Sequence, residues 1–572
     1  MKKSLYISLA LGLLLGLNAS LRAQNMYDAL AFPTNEYFGT ARSMALGNAV
    51  TAIGGDLGTI GINPAGSAVA SYSQLTFTPG LNISTVNSSF DNGQGNTVPS
   101  GRISEKGFVI PNFGASIVFD TGNRKGLRSF VFSVTSNQTS QYSFYSEAYG
   151  NNTQTAKSAE MAAAAYGFAE SALGNYNSYD SSNIPWDVLT AYQAGQFGSF
   201  GYDGEYAGVG EYIAADGLHY VPGRIKQASL RTKSGSKNDL VFNFGANISD
   251  RLYLGFNLGV PSGTYTYEEY FNEAAEDPAD FPIIFLDGNR EVETTYRGSS
   301  NTYMYAADIE GIYAKFGAIL RPVAGLRLGA AFQAPARYTI SERWQYAATS
   351  TFGDSRFNGN MTSPQGNYSY QLRTPYIIDL GAAYTVGSVG FISVDYELMD
   401  YSVMRYTDLH ASDMVSDAFY DVNQANRNFA GVSNSLRLGI EFKLLPSVSL
   451  RAGYSTTSCP ERYWTNDRGQ TVDADSYLAN FDDYQSGLLR LVKSRYYDEP
   501  THSYSFGVGY SSSDSFFMDL AFKKTTYSNS SFRPYYDYIN YDESGNQVNQ
   551  SSPLITSSRE LINIVCTLGW RF

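Results

Sequence analysis

The chain ends in the stretch LINIVCTLGWRF, residues 561–572. Successive side chains of a β-strand point to opposite faces, so a strand here has two different sides. Every even-numbered position from Ile562 to Phe572 is apolar, whereas the odd-numbered positions include Asn563 and Arg571. An apolar face that finishes on aromatic residues is typical of the closing strand of a membrane β-barrel, where aromatic residues lie at the lipid interface. A soluble β-sandwich can produce the same alternation.

The alternation recurs in most of the chain after residue 70. Charged residues fall on the second face of several segments, so that face must meet water or polar partners. The segments that we interpret as strands are 71–87, 108–119, 128–146, 225–248, 251–268, 304–321, 325–346, 367–385, 389–407, 433–444, 447–458, 501–512, 515–527 and 558–572.

The connections between these segments alternate in length. The clearest short joints are 249–250, 322–324, 386–388, 445–446 and 513–514, and much longer connections separate them. This alternation places the tight turns at one end of a barrel and the long loops at the other. We therefore predict an all-β fold: a transmembrane antiparallel β-barrel of about fourteen strands over residues 71–572, with twelve or sixteen strands as alternatives.

The longest connection, 147–224, contains two segments that favour helix. Residues 157–175 are rich in alanine, and residues 185–197 open with a proline suited to the first turn of a helix. Two interpretations stay open here. The helices either cap the mouth of the barrel and present apolar faces to an entering molecule, or they only pack on their neighbours.

Residues 1–23 have the pattern of a secretory signal peptide. Lys2 and Lys3 precede an apolar run from Leu5 to Leu17, and small residues follow as far as Ala23. The run is shorter than the roughly 20 residues that a spanning helix needs. We predict cleavage after Ala23 and export of the remaining chain.

Composition narrows the function. Aromatic residues make up 15% of the chain and charged residues 16%, which suits strands that meet lipid interfaces. The net charge of −13 argues against nucleic-acid binding, which needs a basic surface. Cys459 and Cys566 are the only cysteines, so there is no disulfide framework and no zinc spacing, although a bond between the two stays open.

The histidines give little support to an enzyme. His219, His410 and His502 lie in or beside the predicted external loops. Ser503 follows His502 directly, so their side chains point to opposite faces of a strand and cannot form a nucleophile–base pair. We predict no catalytic residue, no metal site and no cofactor.

Two arginines fall on the predicted inner face of the barrel. Arg437 and Arg451 are able to meet the carboxylate of a substrate, or to pair with acidic residues of the lumen such as Glu441. The second interpretation is favoured, and the sequence names no ligand-binding residue.

The segment 24–70 lacks sustained alternation but carries a compact turn. Asn63 and Pro64 favour an extended residue followed by a turn, and Ala65 and Gly66 complete it. Upstream lie the motifs RSMALG at 42–47 and GGD at 54–56; downstream lie NLGVPSG at 257–263, LRLGAAFQAPARY at 326–338, RTP at 373–375, IDLGAAY at 378–384 and VDYELMDY at 394–401. Together with the barrel pattern, this set resembles the FadL-type family of outer-membrane transporters for long-chain fatty acids and other hydrophobic compounds.

The resemblance implies a mechanism. It implies that residues 24–70 fold inside the barrel as a hatch, with the turn of Asn63, Pro64, Ala65 and Gly66 near the periplasmic side as a gating motif. It also implies a kinked third strand with a lateral exit. Pro111 and Gly114 are candidates to bend the second strand, Gly122 and Gly126 precede the third, and the sequence does not place the kink.

The partners that follow are outer-membrane lipid and a hydrophobic small molecule, with no nucleic acid, and the chain is expected to act as a monomer. The alternatives are a general porin and a surface adhesin or haem-binding receptor. The sequence does not distinguish a fatty acid, an aromatic hydrocarbon and haem as the substrate.

Overall fold

A computed structural model describes residues 30–93, 97–174, 179, 184–200, 204–213, 219–288, 290–409, 419–512, 515–541 and 547–572. The predicted signal peptide, His410 and the 513–514 joint lie outside these residues. The part of the chain that is described is dominated by one large antiparallel sheet, with short helices in the loops and in the segment that precedes the sheet.

Fourteen strands form the barrel, and several are interrupted along their length. They are β1 Gln74–Asp91, β2 Thr97–Asp120, β3 Leu127–Gln141 and Phe144–Asn152, β4 Ile225–Ile248, β5 Leu252–Ala275, β6 Arg290–Val323, β7 Leu326–Gln333 and Arg337–Phe352, β8 Gly366–Arg373 and Ile377–Val386, β9 Gly390–Asp400 and Arg405–Asp408, β10 Val432–Leu445, β11 Val448–Thr457, β12 Thr501–Ser511, β13 Phe516–Thr526, and β14 Leu554–Arg571.

The remaining elements are short. The helices are α1 Ala41–Ala45, α2 Lys157–Ala165, α3 Trp186–Gln193, α4 Tyr420–Phe429, α5 Ala474–Ala479 and α6 Phe481–Ser486. The short strands of the loops are Phe197–Ser199, Tyr206–Gly208, Tyr212–Ile213, His219–Tyr220, Pro282–Asp287, Gly359–Thr362, Arg462–Asn466, Thr471–Val472, Leu491–Tyr496, Ser530–Phe532, Tyr538–Tyr541 and Gln547–Gln550.

Each barrel strand pairs antiparallel with the next, and the last strand returns to the first. β14 pairs with β1 along most of its length, from the Gln74–Arg571 pair to the Asp91–Leu554 pair. Closure pairs the first strand with the last, as a sheet that crosses a bilayer requires. The predicted fourteen-stranded antiparallel barrel is confirmed.

Short and long connections alternate as predicted. Within the described residues the short joints include 249–251, 324–325, 387–389 and 446–447, all at one end of the barrel. The first is a tight turn in which both Ser249 and Asp250 have positive φ, the geometry that matches the right-handed twist of paired strands. Asn247 stabilises it by donating a side-chain hydrogen bond to Asp250.

The two faces of the wall differ in chemistry. On β12 the outward residues Tyr504 and Phe506 are more than half exposed, while the inward Ser503 and Ser505 are buried. The same outward apolar band runs around the barrel, with aromatic residues such as Trp570 at its edge. No described helix is long and apolar enough to cross a membrane.

The predicted helices of the 147–224 connection are present as α2 and α3. Their apolar residues, including Met161, Trp186 and Leu189, are buried against one another and against the loop strands. The α3 end is also bonded to β7, where the Ser350 hydroxyl donates to the Ala194 carbonyl. Of the two interpretations left open, the described geometry matches helices that pack on their neighbours.

Glu160 is a buried carboxyl within this packed loop. Its burial, with Asp187 and Glu273 nearby, raises the pKa of Glu160 to about 7, although Lys157 opposes the shift. The Lys157 ammonium lies 3.8 Å from the carboxylate, too far for a hydrogen bond. Protonation of Glu160 therefore favours the packed loop.

The first prediction concerns lipid-facing residues. Leu520→Arg on the middle of β13 is expected to destabilise the barrel by about 2–4 kcal/mol, because an arginine at that depth must lie in hydrocarbon. Leu286→Arg is the control, since Leu286 lies in a loop strand and is already 73% exposed. Urea titration of the protein folded in phospholipid vesicles measures the difference. Equal stability of the two variants would show that the band does not face lipid.

The second prediction concerns pH. Because the folded pKa of Glu160 is raised, the packed loop is most stable below the unfolded value of about 4.5 and loses stability as the pH rises through about 7. The loss is on the order of 3 kcal/mol. After correction for the intrinsic pH dependence of amide exchange, the amides of α2 should therefore be less protected at pH 8 than at pH 5.5, and Glu160→Gln should remove that difference. Protection that is independent of pH in the natural protein would contradict the assignment.

Candidate functional site

Residues 30–70 lie inside the barrel and contact opposite walls. The helix α1 packs against β11 to β14, while the turn Pro64–Val69 packs against β3 to β6. Side chains along the segment are almost completely buried, including Phe38, Met44 and Leu57. The segment therefore fills the lumen from one side to the other.

The turn of Asn63, Pro64, Ala65 and Gly66 is anchored by the Asn63 side chain. Its oxygen accepts from the Ala65 N–H at 3.0 Å, and its amide donates to the carbonyl of Thr51 at 2.7 Å and of Ala318, on β6, at 3.2 Å. The Pro64 carbonyl accepts from Asn243 of β4 at 3.0 Å. The sequence motif thus forms the compact turn expected of it, and the turn is bonded to two wall strands.

Glycines of the wall allow this close approach. Gly245, Gly255 and Gly317 lie directly opposite one another on β4, β5 and β6. A Cβ on any of them would overlap with atoms of the segment: the Ser67 hydroxyl, the Pro64 backbone or the Asn63 side chain. These glycines lie near the short 249–251 turn, which places the Asn63 turn at the end of the barrel that carries the short joints.

Glycines serve the same purpose on the opposite wall. Gly439 and Gly453 pair across β10 and β11, where a Cβ would meet the backbone of Leu46 and Gly47. On β7, a Cβ on Gly329 would overlap with the Thr51 carbonyl. The segment consequently rests on backbone in several directions.

A layer of buried charge joins the segment to the wall. Lys315 pairs with Asp379 at 2.9 Å, and Arg437 pairs with Glu397 at 2.8 Å. The hydroxyl of Tyr37, which belongs to the segment, donates to Glu397 at 2.7 Å. All five side chains are buried, so the charges are compensated by one another rather than by water.

A second ionic group lies beside α1. Arg42 of the segment and Arg451 of β11 both bind Glu441, at 3.2 and 2.7 Å. Arg451 also pairs with Asp519 of β13. Both arginines that the sequence placed in the lumen, Arg437 and Arg451, are therefore paired with acidic residues, the interpretation that the sequence favoured.

The described histidines are engaged separately. His219 lies 3.7 Å from Glu211, and His502 accepts or donates a 3.0 Å hydrogen bond with Tyr454 on the outer face. The Ser503 hydroxyl instead bonds to Thr525 on the other face, as strand alternation requires. Cys459 and Cys566 are free. Among the described residues no three metal-ligating side chains come together.

The wall is interrupted between β2 and β3. The two strands pair only from the Asp120–Ser129 pair to the Asn112–Asn137 pair. Pro111 follows directly beyond the Asn112–Asn137 pair, on the side of the long loops. At this point β2 also has one residue more than β1 between two consecutive residue pairs of these strands, which is a β-bulge. A proline removes a ladder donor and is typical of an edge or bulge. The bend in the second strand therefore lies at Pro111, one of the two candidates that the sequence offered.

The segment inside the barrel replaces part of the missing pairing. The N–H groups of Glu36 and Phe38 donate to the carbonyls of Thr139 and Gln138 on β3, at 2.7 and 3.0 Å. Beyond a break in β3 after Gln141, the continuation Phe144–Asn152 packs under the β1–β2 hairpin, with Ser88 bonded to Ser146 at 2.8 Å.

A cavity lies between the segment and this interruption. It is lined by Asn35, Tyr37, Phe38, Gln138, Asp239 and Tyr313, among others, and measures about 20 Å³. That volume is about enough for one water molecule. No organic molecule fits there with the segment in its present position.

The half of the lumen on the side of the long loops is aromatic. One buried cluster contains Tyr305, Tyr338, Tyr370, Tyr406 and Phe419. The helix α4 contributes Val422 and Phe429 to it, and the segment contributes Leu30 and Phe32. This surface is suited to an apolar solute, and the start of the segment already occupies part of it.

Several residues of the site were not predicted. Lys315, Asp379 and Asp395 carry inward charge, and Asp395 accepts from the Thr51 N–H at 2.7 Å. The sequence feature that could have identified these residues is a charged residue at an inward position of an otherwise regular strand. A glycine at an inward strand position, such as Gly255, was a second signal.

Strand pairing and the occupied lumen define the class: a fourteen-stranded membrane β-barrel with an N-terminal segment folded inside it. Among solved structures, the chain is similar to a FadL homologue of Pseudomonas aeruginosa, with 13% identity over 94% of this chain and 98% of that chain and a TM-score of 0.49. It is also similar to the toluene transporter TodX of P. putida, with 11% identity, coverage of 94% and 99%, and a TM-score of 0.41.

A third similar structure is the toluene transporter TbuX of Ralstonia pickettii, with 13% identity, coverage of 94% and 99%, and a TM-score of 0.40. No protein-family model and no curated protein matches the chain. The fold assignment therefore rests on the strand pairing of the chain itself.

The third prediction tests the close approach at the glycines. Gly255→Leu is expected to displace the Asn63 turn, since overpacking of this kind costs about 1–3 kcal/mol and the wall strand has no room to move. Hydrogen exchange of the Ala65 and Gly66 amides, which the turn protects, should then be faster than in the natural protein. Ala330→Leu, on the outer face of β7, is the control. If these amides stay protected in Gly255→Leu, the glycine does not hold the turn in place.

Proposed function

We propose that this chain is an outer-membrane transporter that takes up hydrophobic small molecules passively through a plugged β-barrel. The observation that carries the proposal is the contact between residues 36–38 of the lumenal segment and β3, at the point where the wall is interrupted. The signal peptide 1–23, a location in the outer membrane of a Gram-negative bacterium and a monomeric state belong to the same proposal.

The closed lumen supports a hatch. Because the cavity beside the interruption measures only about 20 Å³, we infer that a solute passes there only when the lumenal segment moves. The polar contacts of the segment with the wall are hydrogen bonds and ion pairs, such as that of Arg42 with Glu441. Such contacts can be exchanged with water during a displacement, and we assign the segment the role of a gate.

Within the hatch, Asn63, Pro64, Ala65 and Gly66 act as the fixed end. The Asn63 amide bonds to β6 and the Pro64 carbonyl to β4, so this turn stays on the wall while the earlier part of the segment shifts. The part that shifts includes Tyr37 and Phe38, which contact the interruption.

The exit lies between β2 and β3. Phe108 and Ile110, just above Pro111, point outward and are exposed, so the interruption opens at the height of the apolar band. A solute that left the aromatic upper lumen through this route would enter lipid without crossing an aqueous pore. This argues for apolar cargo, and the aromatic residues of the upper lumen suit such a solute.

Planar-bilayer conductance is the test that separates a transporter from a general porin. The natural protein is expected to show little open conductance, and deletion of residues 30–62 to give large, steady channels, because the segment no longer fills the lumen. Uptake of a radiolabelled fatty acid or of toluene by cells is measured in parallel. Large conductance in the natural protein would favour the porin. Binding to surfaces without any uptake would favour the adhesin or haem receptor.

The fourth prediction tests the exit. A Cβ on Gly101 of β2 would lie 3.8 Å from the Cβ of Glu147 on β3, a separation that suits a disulfide. The pair Gly101→Cys and Glu147→Cys is made in a chain whose Cys459 and Cys566 are replaced by Ser. Oxidation should lower uptake about tenfold or more, because the β1–β2 hairpin can no longer lift from β3.

Reduction should restore uptake, and each single cysteine variant should behave as the parent in both states. Uptake that is unchanged in the oxidised pair would rule out this exit. That result would not count against the hatch, because the conductance of the variant that lacks residues 30–62 tests the hatch separately.

A further inference from the structure

Three arginines form a row on the outer face of the barrel. Arg337, Arg373 and Arg405 occupy directly opposite positions on β7, β8 and β9. All three side chains are exposed, while their neighbours in the chain, such as Tyr338 and Leu372, are buried inside. Alternation therefore points the arginines away from the lumen.

Like charges in this arrangement repel one another. Residues directly opposite on neighbouring strands have Cα atoms about 4.5–5.5 Å apart, and like-charged pairs at that spacing destabilise a sheet. In the part of the chain that is described, neither Arg337 nor Arg373 forms a salt bridge, whereas Arg343 nearby pairs with Asp308 at 3.1 Å. Arg405 has another interaction, so only Arg337 and Arg373 are considered as residues that bind a partner. In a chain of net charge −13, such a row calls for an anionic partner.

The position of the row along the barrel axis indicates which part of the membrane supplies the partner. Arg337 lies directly opposite Ile312 of β6, which is 52% exposed and ends the outward apolar band on that strand, and Phe332 continues the band below on β7. The row therefore stands where acyl chains give way to headgroups, on the side of the long loops.

A polar recess continues beyond the row. It has a volume of about 460 Å³ and is lined by Asp308, Ser341, Arg343, Asn367 and Ser369, among others. Ser341 is four residues beyond Arg337 on the same strand, a rise of about 13 Å. Along β7 the outer surface thus passes from apolar side chains to arginines and then to hydroxyls, amides and carboxylates.

We propose that this face binds one molecule of the phosphorylated glycolipid of the outer leaflet. Its acyl chains lie on the apolar band, its phosphates accept from Arg337 and Arg373, and its sugars enter the polar recess. Arginine suits this role, because its guanidinium donates two parallel hydrogen bonds to a phosphate. The proposal rests on the membrane location proposed above but not on the cargo.

The probe is bisphosphorylated lipid A added to the purified, delipidated protein in detergent, with retained lipid counted by native mass spectrometry. The natural protein should retain one molecule, and Arg337→Gln with Arg373→Gln should bind it about tenfold or more weakly. The matched control is Arg290→Gln with Arg297→Gln, which removes the same charge from exposed positions of β6 and should bind as the natural protein does.

Two further arms identify the source of the phosphate. Lipid A stripped of phosphate and inorganic phosphate alone should each bind far more weakly than bisphosphorylated lipid A. Equal binding of stripped lipid A would overturn the role of the arginines, and displacement of lipid A by equimolar inorganic phosphate would overturn the glycolipid as the ligand. Equal retention by the double glutamine variant would also overturn the proposal.

The effect of the double glutamine substitution on thermal stability should have opposite signs without and with lipid A. Without lipid A the double glutamine variant should melt higher than the natural protein, because the repulsion is gone; with lipid A the order should reverse. Arg337→Lys with Arg373→Lys should melt as the natural protein does without lipid. A variant that is less stable in both conditions would mean that the row is structural. Cargo uptake is assayed separately, so a failed lipid site and a failed transport function give different results.

Discussion

The backbone of a strand that crosses lipid must have its hydrogen bonds satisfied by protein, and the rest of this structure depends on that constraint. It is met around the wall by antiparallel pairing and by closure of β14 on β1. Among the described strands, pairing is lost over a long stretch between β2 and β3, above the Asn112–Asn137 pair. There the carbonyls of Gln138 and Thr139 accept from the N–H groups of Phe38 and Glu36. The lumenal segment thus completes the wall as well as filling the barrel.

The part of the segment around the Asn63 turn lies against the wall more closely than ordinary side chains allow. Glycines at inward positions of β4, β5 and β6 permit this, although glycine weakens a strand that has nothing to pack against it. Gly255 meets Pro64 and Gly317 meets Asn63, so each weak point of the wall is covered by the segment. Wall and segment therefore depend on each other.

The parts of this arrangement that sequence predicts are those with a signal along the chain. A period of two and the lengths of the joints give the strand number, because both are local properties. The Asn63 turn and the bend at Pro111 follow from the backbone limits of proline and its neighbours. The lumenal contacts do not follow, since Tyr37 and Glu397 are 360 residues apart and no local pattern joins them. Inward charge on regular strands indicates that partners exist but does not identify them.

The choice of ionic contacts in the lumen is itself informative. A buried ion pair adds little net stability, because desolvation offsets the attraction, but a mismatched one is costly. The ion pair of Arg42 with Glu441 and the hydrogen bond of Tyr37 to the charged Glu397 therefore select one position of the segment more than they hold it there. An apolar plug of the same size would gain free energy with every contact and would bind the wall in many registers. A segment whose position is selected by polar contacts in this way suits the gate proposed above.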